Sequence, residues 1–180
     1  MLTMARPASA QPAGQQPTTT LFPPESYTVT PFAGVGFSGD LDSGTGVLGV
    51  AGGYVWSPRV SLEGEFTYLP SSENSGLVEV DTQVFSLTAN MLYHFSGRAF
   101  VPYGVVGVGF GHSSVDIDDP ILDSFDRSDT EFIVNFGGGV ERLIRERLAF
   151  RGDLRYFFGG DLVPDYWRLT AGVSFLLGAP

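Results

Sequence analysis

The chain has 180 residues, a formal net charge of -10 and no cysteine. Its length predicts one domain with room for a closed sheet of roughly eight to ten strands. All ten basic residues are arginines, and the excess of acids disfavours nucleic acid as a partner. The lack of cysteine excludes disulfides, thiolate metal sites and a cysteine nucleophile, and no apolar run reaches the ~18 residues of a membrane helix.

The first 25 residues differ in composition from the rest of the chain. Ala8-Ser9-Ala10 before Gln11 has the A-x-A form of a signal-peptidase site. Residues 11–25 are rich in Pro, Gln and Thr, which predicts a flexible lead-in. We therefore interpret residues 1–25 as the remnant of an export signal followed by this lead-in, with an ordinary disordered tail as the alternative.

Eight segments with the alternation of β-strands follow at regular spacing. They are predicted at residues 27–37, 47–56, 60–69, 82–95, 99–111, 130–142, 148–158 and 166–177. The predicted connections at 57–59, 96–98 and 143–147 are short, and those near 38–46, 70–81, 112–129 and 159–165 are longer. Short turns at one rim and longer loops at the other are typical of outer-membrane barrels. The pattern predicts an all-β fold, an eight-stranded antiparallel up-and-down transmembrane β-barrel over residues 26–178.

Charge differs between the two predicted rims. The longer connections carry most of the twenty acids, including the run Asp116, Asp118, Asp119, Asp123, Asp126 and Asp129. The short turns and their edges carry Arg59, Arg98, Arg142, Arg145 and Arg147. The acidic run could hold a divalent cation, but the EF-hand spacing is absent. A solvated extracellular loop without a metal is the preferred interpretation.

The stretch VSLEGEFTY, residues 60–68, alternates between an apolar side and a side that carries Glu63 and Glu65. Across the strands, the charged side also carries many glycines, as the narrow lumen of an eight-stranded barrel requires. Aromatic residues on the other side concentrate near strand ends, as in the interface girdles of membrane barrels. We therefore predict a closed polar lumen with a charge network of Glu63, Glu65, Glu141, Arg151, Asp153, Arg155 and Arg168. The alternative is a soluble lipocalin-like binder with the charged side in water.

The turn at 143–147 also predicts how two strands face each other inside the barrel. Counting outward from this turn places Gly139, Gly137 and Asn135 opposite Arg151, Asp153 and Arg155. A small residue would then face a long charged one at each position.

Residues 27–177 resemble the eight-stranded outer-membrane β-barrel family of OmpA and OmpX type. The resemblance rests on TPFAGVGFSGD (30–40), SLEGEFTYL (61–69), PYGVVGVGFG (102–111), NFGGGVERL (135–143) and FRGDLRYFF (150–158). Thr170, Gly172, Phe175 and Leu177 resemble the family's terminal assembly signal, with Leu177 where an aromatic residue is usual. The resemblance implies insertion in the bacterial outer membrane and contact with its lipid, its lipopolysaccharide and its assembly machinery. It implies no cofactor, and a structural or adhesion role through the loops.

An enzymatic alternative rests on GHSSVDIDD, residues 111–119. In an extended chain His112, Ser114 and Asp116 share one side, which continues the outward side of the strand predicted at 99–111. They resemble the residues of outer-membrane lipid A deacylases, in which Ser is the nucleophile and His its base. Neighbours on one face of a strand lie ~6–7 Å apart, whereas nucleophile and base need hydrogen-bond contact. A polar loop entrance without catalysis is therefore the preferred interpretation.

Overall fold

The computed structural model describes residues 21–37, 44–75, 78–97, 99–118, 127–159 and 165–178. Eight strands account for nearly all of them. They are β1 (Tyr27–Phe37), β2 (Thr45–Ser57), β3 (Val60–Ser75), β4 (Val78–His94), β5 (Val101–Asp118), β6 (Arg127–Arg145), β7 (Leu148–Phe158) and β8 (Tyr166–Leu177). Within the described ranges there is no helix with the length and hydropathy of a membrane span.

The strands form one closed barrel in chain order, each antiparallel to its neighbours, and β1 pairs with β8 to complete the circle. Closure gives each strand a partner on both sides in the body of the barrel, whereas the C-terminal end of β3 and the N-terminal end of β6 are paired on one side only. The predicted eight-stranded up-and-down barrel is confirmed. The bounds of β1, β7 and β8 agree with those expected from the sequence.

The middle four strands are longer than the alternation of apolar residues predicted. β3 to β6 have 16 to 19 residues, whereas β1, β2, β7 and β8 have 11 to 13. A tilted strand needs only ~9–11 residues to cross a bilayer. The two central hairpins therefore continue as paired ladders beyond the apolar region, where backbone hydrogen bonds need no apolar face to support them.

This extension corrects two predicted loops. Most of the connection expected at 70–81 is strand, since β3 runs to Ser75 and β4 begins at Val78. The expected loop at 112–129 is shortened from both ends, because β5 runs to Asp118 and β6 begins at Arg127. Three of the six loop acids, Asp116, Asp118 and Asp129, thus belong to strands, and Asp119, Asp123 and Asp126 lie outside the described residues.

The connections at the other rim are also not uniform. Only residues 58–59 separate β2 from β3 and only 146–147 separate β6 from β7, but residues 95–100 separate β4 from β5. That connection is longer than the one between β3 and β4. The two rims therefore differ in how far the hairpins extend. Their connections do not differ in length at every position. Below, the short rim is the end at residues 58–59, 95–100 and 146–147, and the long rim is the opposite end.

The register between β6 and β7 differs by two residues from the prediction. Arg151 faces Glu141, Asp153 faces Gly139, Arg155 faces Gly137, and Asn135 faces Phe157. The five-residue turn expected at 143–147 is in fact a two-residue turn preceded by a register shift between Leu143 and Arg145. A bulge of this kind cannot be counted from sequence spacing, because it leaves a residue unpaired on one strand only.

The closing seam between β1 and β8 contains a local gap. The register pairs Val29 with Phe175 and then resumes at Phe32 with Gly172, without pairing the two residues between them on either strand. Pro31 lies in this gap and has no backbone N–H to donate. On the lumen side, the buried Thr30 hydroxyl donates to Ser174 Oγ at 2.8 Å and spans the seam there.

The two faces of the barrel wall alternate as predicted from the sequence. Large apolar side chains such as Leu87, Phe110 and Trp56 point outward and are 58–65% exposed. Their neighbours along the same strands point inward, and most of the inward polar residues are buried. Because strand side chains alternate strictly, one register fixes both faces.

Candidate functional site

Charged side chains fill the middle of the barrel interior. β3 supplies Glu63 and Glu65, β6 supplies Glu141, β7 supplies Arg151, Asp153 and Arg155, and β8 supplies Arg168. None of the seven is more than 7% exposed. The structure thus brings together every residue of the predicted network from four strands. A charge held in such a site requires a close partner, because isolated burial of an ion costs several kcal/mol.

Arg151 occupies the centre of the half nearer the short rim. Its guanidinium forms a two-pronged contact with the Glu63 carboxylate through Nη1 and Nη2. Its Nε donates to the Tyr103 hydroxyl at 2.8 Å, and that hydroxyl donates to Asp153 Oδ2 at 2.9 Å. Two-pronged arginine–carboxylate contacts fix geometry as well as charge. Arg151 therefore joins β3, β5 and β7 through one side chain.

Arg155 and Arg168 occupy the half nearer the long rim and share Glu65. Arg155 Nη1 lies 3.1 Å from Glu65 Oε2, and Arg168 Nη1 lies 2.7 Å from Glu65 Oε1. Arg168 Nη1 also donates to Thr67 Oγ1 at 3.0 Å. Arg155 Nε donates to Asp153 Oδ1 at 3.1 Å, so Asp153 connects the two halves of the network.

Aromatic rings enclose the guanidinium of Arg168. Its Cζ lies 4.6 Å from the Phe157 ring centroid and 5.2 Å from that of Phe32. Desolvated cation–π contacts of this kind contribute up to about 2 kcal/mol each. The rings shield the Arg168–Glu65 pair from the long rim, which strengthens the ionic attraction between them.

A histidine–glutamate pair lies at the short-rim end of the network. His94 Nε2 is 3.3 Å from Glu141 Oε2, and both side chains are buried. The network contains four carboxylates and three guanidiniums. His94 therefore gives Glu141 a buried polar partner at this end of the network.

Glycines on the inward side make room for these long side chains. A Cβ at Gly137 would press on Arg155 and on the backbone of Leu154, and one at Gly139 would press on the Tyr103 ring. A Cβ at Gly107 would collide with the amides of Asn90 and Asn135, which are hydrogen-bonded to each other at 3.0 Å. A side chain at these positions is therefore excluded by the close approach of neighbouring side chains and of the facing backbone.

Apolar clusters lie at both ends of the network. The long-rim plug consists of Phe32, Val47, Leu69, Ile133, Phe157 and Tyr166. The short-rim plug consists of Leu21, Phe22, Val55, Ala149 and Leu176. Two small cavities of about 30 and 10 Å³ lie along the network, and a larger one, of about 990 Å³, is lined mainly by outward apolar residues of the wall. A volume of ~10–15 Å³ holds about one water molecule.

Phe22 reaches the lumen from a segment that the sequence assigned to the flexible lead-in. It is 6% exposed and packs against Val55 and Ala149. The Glu25 N–H donates to the Val55 carbonyl at 2.8 Å, and the Val55 N–H donates to the Ser26 carbonyl at 2.9 Å. Residues 21–25 are thus anchored inside the short rim, and residues 1–20 lie outside the described residues. One Phe after a polar run gave no periodic signal from which this packing could be predicted.

Other partners of the network were missed although a signal for them existed. Tyr103, Phe157 and Tyr166 have the same inward parity on their strands as the charged residues. Most aromatic residues of the strands point outward, so the few that point inward were not distinguished from them. Parity alone would have identified these three side chains as lumen residues.

The candidate catalytic residues occupy one strand, whereas the sequence placed them at the entrance of a loop. His112, Ser114 and Asp116 all lie in β5, where they pair with Phe85, Gln83 and Asp81 of β4. The His112 ring Nδ1 lies 3.1 Å from Oγ1 of Thr130, the residue that pairs with His112 on the neighbouring strand β6. The side chains of Ser114 and Asp116 lie outside the described residues. Where side chains are described, no group of three or more His, Asp or Glu residues could hold a metal ion.

The residues of the expected assembly signal alternate along β8. Thr170 points inward and donates to Asp153 Oδ1 at 3.0 Å. Gly172 also faces inward, and a Cβ there would press on Phe32 and on the Pro31 carbonyl. Phe175 and Leu177 point outward and are 43% and 51% exposed. The outward pair is therefore accessible to lipid.

Comparison with known proteins identifies the family. Residues 2–175 match the family described as outer membrane protein beta-barrel domain. Neisserial surface protein A is 17% identical, with a TM-score of 0.66 over 84% of this chain and 96% of that one. The attachment invasion locus protein Ail of Yersinia pestis is 18% identical, with a TM-score of 0.62 over 85% and 99%.

The N-terminal barrel domain of Pseudomonas aeruginosa OprF is 21% identical, with a TM-score of 0.57 over 86% and 98%. No curated protein matches the chain. At these identities the solved structures establish the fold, and the family match covers nearly the whole sequence. The chain belongs to the outer membrane protein beta-barrel domain family and is an integral outer-membrane protein, so the alternative of a soluble lipocalin-like binder is wrong.

Proposed function

We propose that this protein is a non-conducting structural barrel that displays the connections at its long rim to partners outside the cell. The observation that supports closure is the filled interior, with a charge network between two apolar plugs. Eight-stranded barrels enclose just enough space for side chains. An ion crossing this lumen would have to break several buried ion pairs and displace both plugs.

Conductance across a planar lipid bilayer tests closure. The purified protein should insert without stepwise current, while a general porin in the same bilayer gives discrete steps. Regular single-channel steps from the wild-type protein would contradict a closed lumen. A variant without the short-rim plug, Phe22→Ala, should also remain silent, because the charge network still fills the barrel.

The charge of the sequence near the long rim indicates which kind of surface partner this rim would bind. One solved structure of Ail is a complex with the heparin analogue sucrose octasulfate, a polyanion. In the present chain the residues towards the long rim carry the acidic run from Asp116 to Asp129, with Arg127 as the one basic residue in it. This rim should therefore repel sulfated glycans and attract positively charged surfaces, or lipopolysaccharide bridged by divalent cations.

Adhesion of proteoliposomes tests the charge argument. The wild-type protein should bind a polylysine-coated surface and not a heparin-coated one. Binding to polylysine should fall about tenfold or more when all six acids of the run are changed to Asn, because electrostatic attraction sets the association rate. The double variant Asp40→Asn, Asp42→Asn is the control for a smaller charge change at the same rim. Equal binding to heparin and polylysine would overturn the proposal.

Assembly provides a further proposed contact. Thr170, Gly172, Phe175 and Leu177 would form the signal that the outer-membrane assembly machinery binds before β8 closes the barrel. Phe175→Ala should then slow insertion in vivo while leaving spontaneous folding into lipid vesicles nearly unchanged. Phe150→Ala, on the outward face of the neighbouring strand, is the matched control. The same slowing by both variants would indicate a general loss of lipid contact.

A further inference from the structure

Arginines and aromatic rings form a continuous outward surface at one side of the short rim. The surface consists of Arg59, Tyr93, Phe95, Phe100 and Arg142, and is called the rim shelf below. The three rings are 41–52% exposed, and both arginines are exposed. All five residues lie at the outer edge of the wall, where the strands end.

Each arginine of the rim shelf is held against a ring. Arg59 Nη1 donates to the Tyr93 hydroxyl at 3.3 Å. The Arg142 guanidinium lies over the Phe100 ring, 5.1 Å from its centroid. Phe95 packs edge-on against Tyr93 with centroids 5.2 Å apart. Both guanidiniums thus have a defined position, yet neither makes an ion pair among the described residues.

Glycines leave the surface between the two arginines shallow. Val60 next to Arg59 pairs with Tyr93, Tyr93 pairs with Gly104, and Gly104 pairs with Gly138. Neither glycine has a side chain to fill the outward surface, and the edge of the Phe95 ring lies 4.0 Å from the position of a Cβ at Gly104. Adjacent strands are ~4.8 Å apart, so this row of paired residues is about 15 Å long, and Arg142 lies four residues further along β6 than Gly138, towards the short rim.

The charge around the rim shelf is mainly positive. The neighbouring turn adds the exposed Arg145 and Arg147, against Glu146 and Glu25 among the described residues of this rim. Arginine matches the geometry of a phosphate group through paired N–H donors. Aromatic residues at this height meet lipid where headgroups join acyl chains.

We propose that the rim shelf binds anionic phospholipid of the periplasmic leaflet. The short rim of an outer-membrane barrel faces the periplasm, so phospholipid is the lipid within reach. A headgroup phosphate accepts hydrogen bonds from Arg59 or Arg142, and an acyl chain of the same lipid lies across Phe95, Phe100 and the two glycines. Net negative charge on the headgroup is required, because a zwitterionic headgroup brings a cation to the same arginines.

Lipid selectivity in vesicles tests the proposal. Spin-labelled phosphatidylglycerol and phosphatidylcholine are compared for the fraction immobilised by the reconstituted protein. The wild-type protein should prefer phosphatidylglycerol about fivefold, the effect of one arginine near a membrane surface. The double variant Arg59→Gln, Arg142→Gln should lose the preference. Phe100→Leu should reduce it, because the apolar surface remains while the ring that positions Arg142 is lost.

The matched control removes two arginines that do not contact the aromatic rings of the rim shelf in the described part of the chain. Arg145→Gln, Arg147→Gln removes two arginines of the same rim that have no aromatic partner among the described contacts, and should retain most of the preference. An equal loss in both double variants would overturn the rim shelf as a site and leave only general rim charge. No preference in the wild-type protein would overturn the proposal outright.

Two further measurements keep the test decisive. A heat-induced shift in gel mobility shows that each variant is folded. If the double variant does not fold, the lipid preference is measured in the single variants Arg59→Gln and Arg142→Gln instead. Excess inorganic phosphate should lower the preference no more than sodium chloride of equal ionic strength, because free phosphate lacks the acyl chain. Stronger competition by phosphate would assign the site to a soluble anion and overturn the lipid.

Discussion

The inner and outer faces of the barrel wall are made from alternate residues of the same strands, yet different interactions stabilise them. On β3, Phe66 faces outward and is 45% exposed, while its neighbour Glu65 faces inward and is 2% exposed. The outward residue needs only an apolar surrounding, which lipid supplies whatever the neighbouring side chain is. The inward residue needs particular partners, here Arg155 and Arg168.

This difference teaches where the barrel tolerates change. The outer face should accept any large apolar side chain, because contacts with lipid are non-directional. The inner face should accept paired changes and resist single ones, because removal of one buried partner leaves the other charge uncompensated. The tests below probe the two faces with changes of comparable size, and then the segment that enters the lumen.

The largest effect is expected inside, at the Arg151–Glu63 pair. Arg151→Met alone and Glu63→Gln alone should each lower the free energy of unfolding by about 3–5 kcal/mol, and the double variant by far less than their sum. Urea unfolding from lipid vesicles measures all three. Arg151→Met with Leu87→Ala is the control, since Leu87 lies on the outward face of β4 and belongs to no part of the charge network, and it should be additive within about 0.5 kcal/mol. Additivity in both cycles would mean that the lumen pairs are not coupled.

The outer face is tested by one charge at two depths. Leu87 is 62% exposed on the outward side of β4, and Ile144 is 55% exposed at the short rim. Leu87→Arg should cost about 2–4 kcal/mol of folding free energy in vesicles, and Ile144→Arg about 0–1, because the cost of an arginine falls towards the interface. Equal costs would show that depth in the membrane does not govern the outer face.

The short-rim plug includes Phe22, a side chain from the segment that precedes the barrel strands. Phe22→Ala should lower the free energy of unfolding by about 1.5–3 kcal/mol, the value of burying one such side chain. It should also speed proteolysis near residue 22, because the segment loses its anchor. Pro24→Ala, at an exposed position of the same segment, should change neither measurement. If the Phe22→Ala variant were cleaved at the wild-type rate, backbone hydrogen bonds alone would be holding the segment.

The smallest effect is expected at the backbone where that segment joins β1. Glu25 has a φ of 62°, a left-handed conformation that L-residues adopt at a cost of about 1 kcal/mol. Glu25→Gly should therefore raise the unfolding free energy by up to about 1 kcal/mol. Glu25→Ala removes the charge but keeps the strain, and should give no gain. A similar gain in both variants would assign the effect to charge.

The sequence predicts this fold well because strand alternation and barrel closure follow local rules. The bounds of β1, β7 and β8 and the two faces of the wall could be read from period two alone. The lengths of β3 to β6 could not, since beyond the membrane the ladder no longer needs apolar residues. The two-residue error opposite Arg151 has another cause, the position of the turn, which is two residues at 146–147 instead of five at 143–147, and the bulge beyond Leu143 offsets this shift by one residue.

For the lumen, parity places the residues but cannot pair them. The inward side of β3 and β7 follows from the alternation around Glu63 and Arg151. That Glu63 contacts Arg151 while Glu65 lies between Arg155 and Arg168 depends on strand tilt and stagger around the whole barrel. Phe22 was out of reach for the opposite reason, because a single buried ring in an irregular segment has no periodicity.

The gap at Pro31 makes the junction of the first and last strands unlike the other seven junctions of the wall. The two residues of β8 opposite Thr30 and Pro31 are not paired with β1, so we expect hydrogen exchange to be fastest at this junction. A brief separation of β1 from β8 would break the Thr30–Ser174 hydrogen bond and leave the remaining strand pairs intact. We therefore expect the wall to part most readily at the junction that joins the first strand to the last.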